Sequence, residues 1–181
     1  MLCDGCIEIA RPWSKGRSAL VYDGKARQLI LSLKHGDRTD LARAAGPWLI
    51  RAGRDILGPD TLIIPVPLHR FRFLRRKFNQ ASLLAERVAR ELQIDVLHDG
   101  LLRSVKTAPL LGKTRDERFD ILQGAITINQ LHADKFKDRH IVLLDDVMTS
   151  GATFAAATEA CLMAGADDVC VLALARAVKD A

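Results

Sequence analysis

Apolar residues along the chain fall into short runs and longer periodic segments, and the two kinds alternate. Short runs bounded by proline, glycine or charge read as buried strands, and apolar residues three and four apart read as helices. Residues 61–67 (Thr-Leu-Ile-Ile-Pro-Val-Pro) predict the first strand of the main sheet, stopped by its prolines. Further strands are predicted within 94–102, at 125–128, at 141–144 and at 169–174. The turn Tyr22-Asp23-Gly24 opens a helix that packs Leu29, Ile30 and Leu33 on one face and stops at Gly36. A second helix over 37–52 should bury Leu41, Ala45, Trp48 and Leu49, with Gly46-Pro47 bending or splitting it. Asn79 caps a third helix running to Leu92, with Leu83, Leu84, Val88 and Leu92 as its apolar stripe. An alanine-rich helix spans 154–164. Strands alternating with helices predict an α/β fold, a mostly parallel sheet with helices on both faces. Residues 1–18 read as a polar leader and 103–124 as a long polar excursion of the kind that serves as a lid or binding loop.

The chemistry concentrates where the strand at 141–144 should end. Asp145 and Asp146 follow it, then Val147, Met148, Thr149, Ser150, Gly151, Ala152 and Thr153 lead into the alanine-rich helix. Ligands of open α/β sheets sit at the carboxyl ends of strands. A turn of small residues entering a helix presents backbone N–H groups that suit a phosphate. The two carboxylates beside it can accept hydrogen bonds from sugar hydroxyls. A sugar phosphate fits this order of groups, whereas an ordinary capped helix needs neither the acid pair nor the glycine.

This segment resembles the phosphoribosyl diphosphate (PRPP) signature of type I phosphoribosyltransferases. The resemblance implies that fold, with Asp145 and Asp146 holding the ribose hydroxyls and residues 147–153 wrapping the 5′-phosphate.

At 181 residues, with 49% apolar and 27% charged residues, the chain suits one soluble domain with a small appendage. No run approaches a membrane span. Asp4 and Glu8 interrupt the start where a secretory signal would be apolar, so the cytoplasm is the expected compartment. The net charge of +5 is unevenly placed. Arg70, Arg72, Arg75, Arg76 and Lys77 crowd one loop among Phe71, Phe73 and Phe78, and Arg103, Lys106, Lys113, Arg115 and Arg118 crowd another. Such segments suit a polyanionic small molecule or a single-stranded nucleic acid. Cys161 and Cys170 fall in apolar elements and read as small buried residues.

Cys3-Asp4-Gly5-Cys6, Arg17-Ser18-Ala19, Leu33-Lys34-His35-Gly36-Asp37, Pro65-Val66-Pro67 and Phe78-Asn79-Gln80 precede the signature in one order. Together they resemble the competence protein F family of phosphoribosyltransferase-like proteins. The resemblance places Lys34, Arg70, Arg76, Lys77 and Asn79 on the diphosphate side, and closes the loop bearing Arg103, Lys106, Arg115 and Arg118 over the site as a lid. It implies PRPP with Mg²⁺ as ligand, and single-stranded DNA and other competence proteins as partners. Such proteins begin with two Cys-x-x-Cys pairs. Tetrahedral zinc takes four ligands, so Cys3 and Cys6 supply half a site, and Zn²⁺ is expected only if the chain extends upstream. Residues 1–18 are accordingly expected to be a zinc-ribbon-like remnant and 19–181 the phosphoribosyltransferase-like domain. Three functions follow: phosphoribosyl transfer to an unidentified acceptor, a DNA-binding competence factor, or a PRPP-sensing regulator without catalysis.

Overall fold

The computed structural model describes residues 11–35, 40–68, 78–103, 117 and 124–178. Seven strands and four α-helices follow one another along them: β1 (Gly16–Val21), α1 (Gly24–His35), α2 (Asp40–Ala52), β2 (Leu62–Pro65), α3 (Gln80–Leu92), β3 (Asp95–Val96), β4 (Leu101–Arg103), β5 (Ile126–Ile128), β6 (His140–Met148), α4 (Ala152–Met163) and β7 (Asp168–Arg176). A 3₁₀ helix, Gln130–Lys135, precedes β6. Five strands form one sheet in the order β1-β7-β6-β2-β3, and every pairing in it is parallel. β4 and β5 form a separate antiparallel ribbon. Among the described residues, no helix is long and apolar enough to cross a membrane.

Alternation along the central strands explains the two helical layers. Ile141 and Leu143 of β6, with Val169, Val171 and Ala173 of β7, pack against Phe154, Ala155 and Cys161 of α4. Val142 and Leu144, with Cys170, Leu172 and Leu174, face Ile30 and Leu33 of α1, Leu49 of α2 and Leu84 and Val88 of α3. Strands covered on both faces need continuous apolar runs, which is why these two were legible. Burial pushes the Cys161 thiol up to about 12, so it stays an uncharged packing group.

Four readings of the pattern change. β1 runs across the expected boundary at residue 18, and Trp13 ahead of it is 9% exposed and part of the core. Its polar Arg17 and Ser18 and its edge position hid it. A single α2 passes through Gly46-Pro47, where a Cβ on Gly46 would lie 2.6 Å from Cγ of Arg87, so glycine lets α2 and α3 approach. Trp48 is 42% exposed, because the buried stripe of α2 is Ala42, Ala45, Gly46 and Leu49 and Trp48 falls to its side. Leu92 is exposed at the end of α3, where Gln93 turns the chain at φ 56°.

The amino edge of the sheet is tied by a polar cluster. His140 Nδ1 lies 2.9 Å from Oδ2 of Asp168, and its Nε2 lies 2.9 Å from the carbonyl of Ile56. The Ser14 hydroxyl sits 3.2 Å from Sγ of Cys170. Burial alone would push the Asp168 carboxyl up, but the Ser14 hydroxyl and the His140 ring together hold it below its ordinary value. A carboxyl lowered by folding adds stability above its unfolded pKa and loses it as pH falls through the folded one. Asp168→Asn should therefore destabilise by on the order of 1 kcal/mol at pH 7, the pair being partly exposed. Denaturant melts of both proteins should converge as the pH is lowered through 4 and below; a pH-independent gap would contradict this role.

Candidate functional site

The strand that carries the acid pair is longer than its apolar run. β6 continues through Asp145 and Asp146 to Met148, because β7 keeps pairing with it as far as Met148 and Arg176. On its other side the pairing stops at Leu144, opposite Pro65 of β2. The acids thus lie within the strand rather than past its end, on a stretch that overhangs β2. The inside–outside alternation slips there too: Leu144 faces the three-helix side, and so does Val147, while Met148 joins the α4 side. Asp146 is 7% exposed, and its N–H donates to Oδ1 of Asp145 at 2.7 Å.

Topology places this overhang where a ligand belongs. β2 leads through α3 on one face to β3 at one edge, and β6 leads through α4 on the other face to β7 in the opposite direction. The crevice between the carboxyl ends of β2 and β6 is the switch point of the sheet. Val66 N–H donates to the carbonyl of Leu144 at 2.9 Å, fixing the end of β2 one residue from Asp145.

Asn79 closes the basic loop onto that point. Its Nδ2 donates to the carbonyl of Val66 at 3.0 Å, and its Oδ1 accepts from the N–H of Ala81 at 3.1 Å. Both ends of its side chain are engaged, so it caps α3 as the spacing predicts and pins the two ends of the loop beside the acid pair. That is a positioning role for a residue the resemblance puts on the diphosphate side. Arg70, Arg76 and Lys77 lie in the loop's interior, outside the described residues, as do Lys106, Arg115 and Arg118 of the expected lid and Cys3 and Cys6. Arg103 ends β4, paired with Ile126, where the lid segment departs. Lys34 is in the last turn of α1, and its side chain is outside the described part.

The turn after β6 is built to expose backbone. Gly151 is the N-cap residue of α4 at φ 84°, makes no side-chain cap bond, and the first turn holds no acidic residue. Ser150 Oγ accepts a long 3.4 Å bond from the Ala152 N–H. A conventional cap would put a side-chain oxygen across the N–H groups of this helix end. Its replacement by glycine leaves the end of the helix dipole available for an anion. A Cβ at Gly151 would lie 3.0 Å from Trp13 Cη2, so a side chain there would crowd the indole as well as strain the backbone. Trp13 went unnoticed in the sequence; a lone aromatic in a polar leader was the available signal.

His140, Asp168 and Cys170 also bring ligand-type atoms within 4.8 Å of one another, at the start of β6 and β7 and so at the far edge of the sheet from the acids. The His140 Nε2 contact with a backbone carbonyl and the raised, protonated Cys170 thiol suit a hydrogen-bond network better than a metal.

No protein-family model matches the chain. It is 30% identical over 180 residues to competence protein F of Haemophilus influenzae, covering 97% of this chain and 78% of that protein. It is likewise 30% identical over 180 residues to the DNA utilization protein YhgH of Escherichia coli O157:H7, with coverages of 96% and 77%. An adenine phosphoribosyltransferase of Frankia casuarinae matches at 41% over 81 residues, 44% of this chain and 42% of that one. Among solved structures, the allosteric regulatory enzyme of purine biosynthesis overlays 80% of this chain and 30% of its own, at 13% identity and a TM-score of 0.49.

Gly151→Val tests the loop. A β-branched residue at φ 84° against Trp13 should destabilise by about 1–3 kcal/mol from backbone strain. Any anion affinity of the loop should fall with it, whereas Gly124→Val, also at positive φ but with nothing among the described residues within 4 Å of its Cβ position, should leave that affinity intact. Equal anion affinity in all three proteins by calorimetry would show that the turn binds nothing.

Proposed function

Because the chain belongs to the competence protein F family, we propose that its crevice binds PRPP and transfers the phosphoribosyl group to an acceptor. The observation that carries the reading is the overhang of β6, which sets two carboxylates at the switch point directly ahead of a helix whose N-cap is a glycine. The partial likeness to an adenine phosphoribosyltransferase supports it. The substrate is the magnesium complex of PRPP, whose metal neutralises the diphosphate as it departs.

The residues divide the work by chemistry. Asp145 and Asp146 accept hydrogen bonds from the two ribose hydroxyls and hold the ring in one orientation. Residues 149–153 take the 5′-phosphate on backbone N–H groups. The loop that carries Arg70, Arg76 and Lys77, pinned by Asn79 beside the acids, meets the diphosphate; Lys34 and the segment with Arg103, Lys106, Arg115 and Arg118 close the site. A nitrogen nucleophile then forms a bond to C1 as the C1–O bond to pyrophosphate breaks, with the bonding pair leaving on pyrophosphate. The transition state is oxocarbenium-like, and the protein contributes placement and charge stabilisation.

Isothermal calorimetry with magnesium and PRPP tests the site. The wild type should bind saturably. Each lost charge-assisted bond is worth about 1.5–3 kcal/mol, so Asp145→Asn with Asp146→Asn should weaken binding by at least ~100-fold. Undiminished binding by the double variant would overturn the assignment.

A second reading is favoured by the names of the relatives, competence protein F and DNA utilization protein. In it the basic loop also meets single-stranded DNA. Neutralising Arg75, Arg76 and Lys77 should lower affinity for an oligonucleotide and flatten its salt dependence by about 0.7 per lost phosphate contact. Unchanged affinity and slope would remove DNA from the account.

A further inference from the structure

The strap ahead of β1 is not used by the reading above. Ser14 N–H donates to the carbonyl of Val169, and Val171 N–H donates to that of Lys15, each at 2.9 Å, so the strap is locked to β7 before β1 begins. From there Trp13 turns its ring onto the face that α4 covers and meets Phe154 of the first turn of α4 edge-on, with centroids 6.3 Å apart. The far edge of the same ring occupies the space beside Gly151. Arg11 lies against the ring, its Cζ 5.4 Å from the centroid, a distance at which a guanidinium is attracted to the indole face. Arg11 also borders the turn itself: a Cβ on Gly151 would be 3.4 Å from its Nη1 and 3.7 Å from its Cζ.

Two positive features therefore stand side by side. One is the amino end of α4, whose N-cap glycine makes no side-chain bond and whose first turn holds no acidic residue. The other is a half-buried guanidinium. An anion placed between them is attracted by both. Arg11 makes a further interaction, but a guanidinium carries five N–H donors and can serve more than one acceptor. We propose that Arg11 is an anion-binding residue of this site, directed to the 5′-phosphate, and that Trp13 is a positioning residue holding both Arg11 and the Gly151 backbone. The inference rests on the sugar-phosphate reading of the turn and adds to it a wall supplied by the N-terminal strap.

The chain has two tryptophans, so Trp48→Phe leaves Trp13 as its single indole reporter, and Trp48 is on α2, across the sheet. Titrating this protein with magnesium–PRPP, and separately with ribose 5-phosphate, should change Trp13 emission saturably. In the same background Arg11→Ala should raise both dissociation constants on the order of ten- to a hundredfold. Arg11→Lys should recover part of the loss, and the melting midpoint should hold, because the strap stays locked to β7. Measured by calorimetry, because these two variants lack the indole reporter, Trp13→Phe should stay near the parent and Trp13→Leu should weaken binding; affinity for pyrophosphate, which lacks the 5′-phosphate, should not move with Arg11. If the parent binds both ligands by calorimetry but Arg11→Ala binds them equally well, the role of Arg11 is wrong and the turn stands. If the parent binds neither ligand, the sugar-phosphate reading falls and this inference falls with it.

Discussion

The pairing of β6 with β7 continues to Met148 and Arg176 after its pairing with β2 has stopped at Leu144 and Pro65, and each part of the crevice hangs on that difference in length. Had β2 run as far as β6, a neighbouring backbone would cover the acid pair. Had β7 stopped early, Asp145 to Met148 would be a loop, and the carboxylates would lack a fixed mount. Pro65 and Pro67 flank the end of β2, on the side away from β6. The last bond before the break, from Val66 to the Leu144 carbonyl, leaves the chain beside Asp145. Asn79 then gathers both ends of the basic loop to the same point.

The helices make the asymmetry useful. α3 and α4 leave the sheet on opposite faces, so neither crossover helix roofs the crevice between β2 and β6. α4 directs its amino end into that opening through a glycine that no other residue could replace without meeting Trp13. The acids and the positive end of a helix dipole are thereby held a few residues apart on a rigid strand–turn–helix. A ligand that carries hydroxyls and a phosphate complements both.

Much of this was legible because the strongest patterns belong to the most buried parts. The apolar runs of β2, β6 and β7 are covered on both faces, and the acid pair followed by Thr-Ser-Gly-Ala-Thr is contiguous, so sequence order alone put the acid pair and the turn at one end of β6. Asn79 was legible as a cap, but its second bond, to Val66, spans the basic loop and has no sequence signature. β1 was missed because an edge strand carries Arg17 and Ser18 without penalty, and Trp13 because its partners, Phe154 and Gly151, are far away along the chain. Apolar spacing places Trp48 and Leu92 on buried stripes; helix phase puts one to the side, and the Gln93 turn puts the other at a helix end. Local chemistry was readable where neighbours in sequence are neighbours in space, and unreadable where a contact closes over a hundred residues.

A crystal structure of the protein with magnesium and PRPP tests the central claim most directly. The account predicts density for the 5′-phosphate against the backbone of residues 149–153, with the ribose hydroxyls on the carboxylates of Asp145 and Asp146. Density for PRPP placed elsewhere, or with its ribose turned away from the two aspartates, would contradict it.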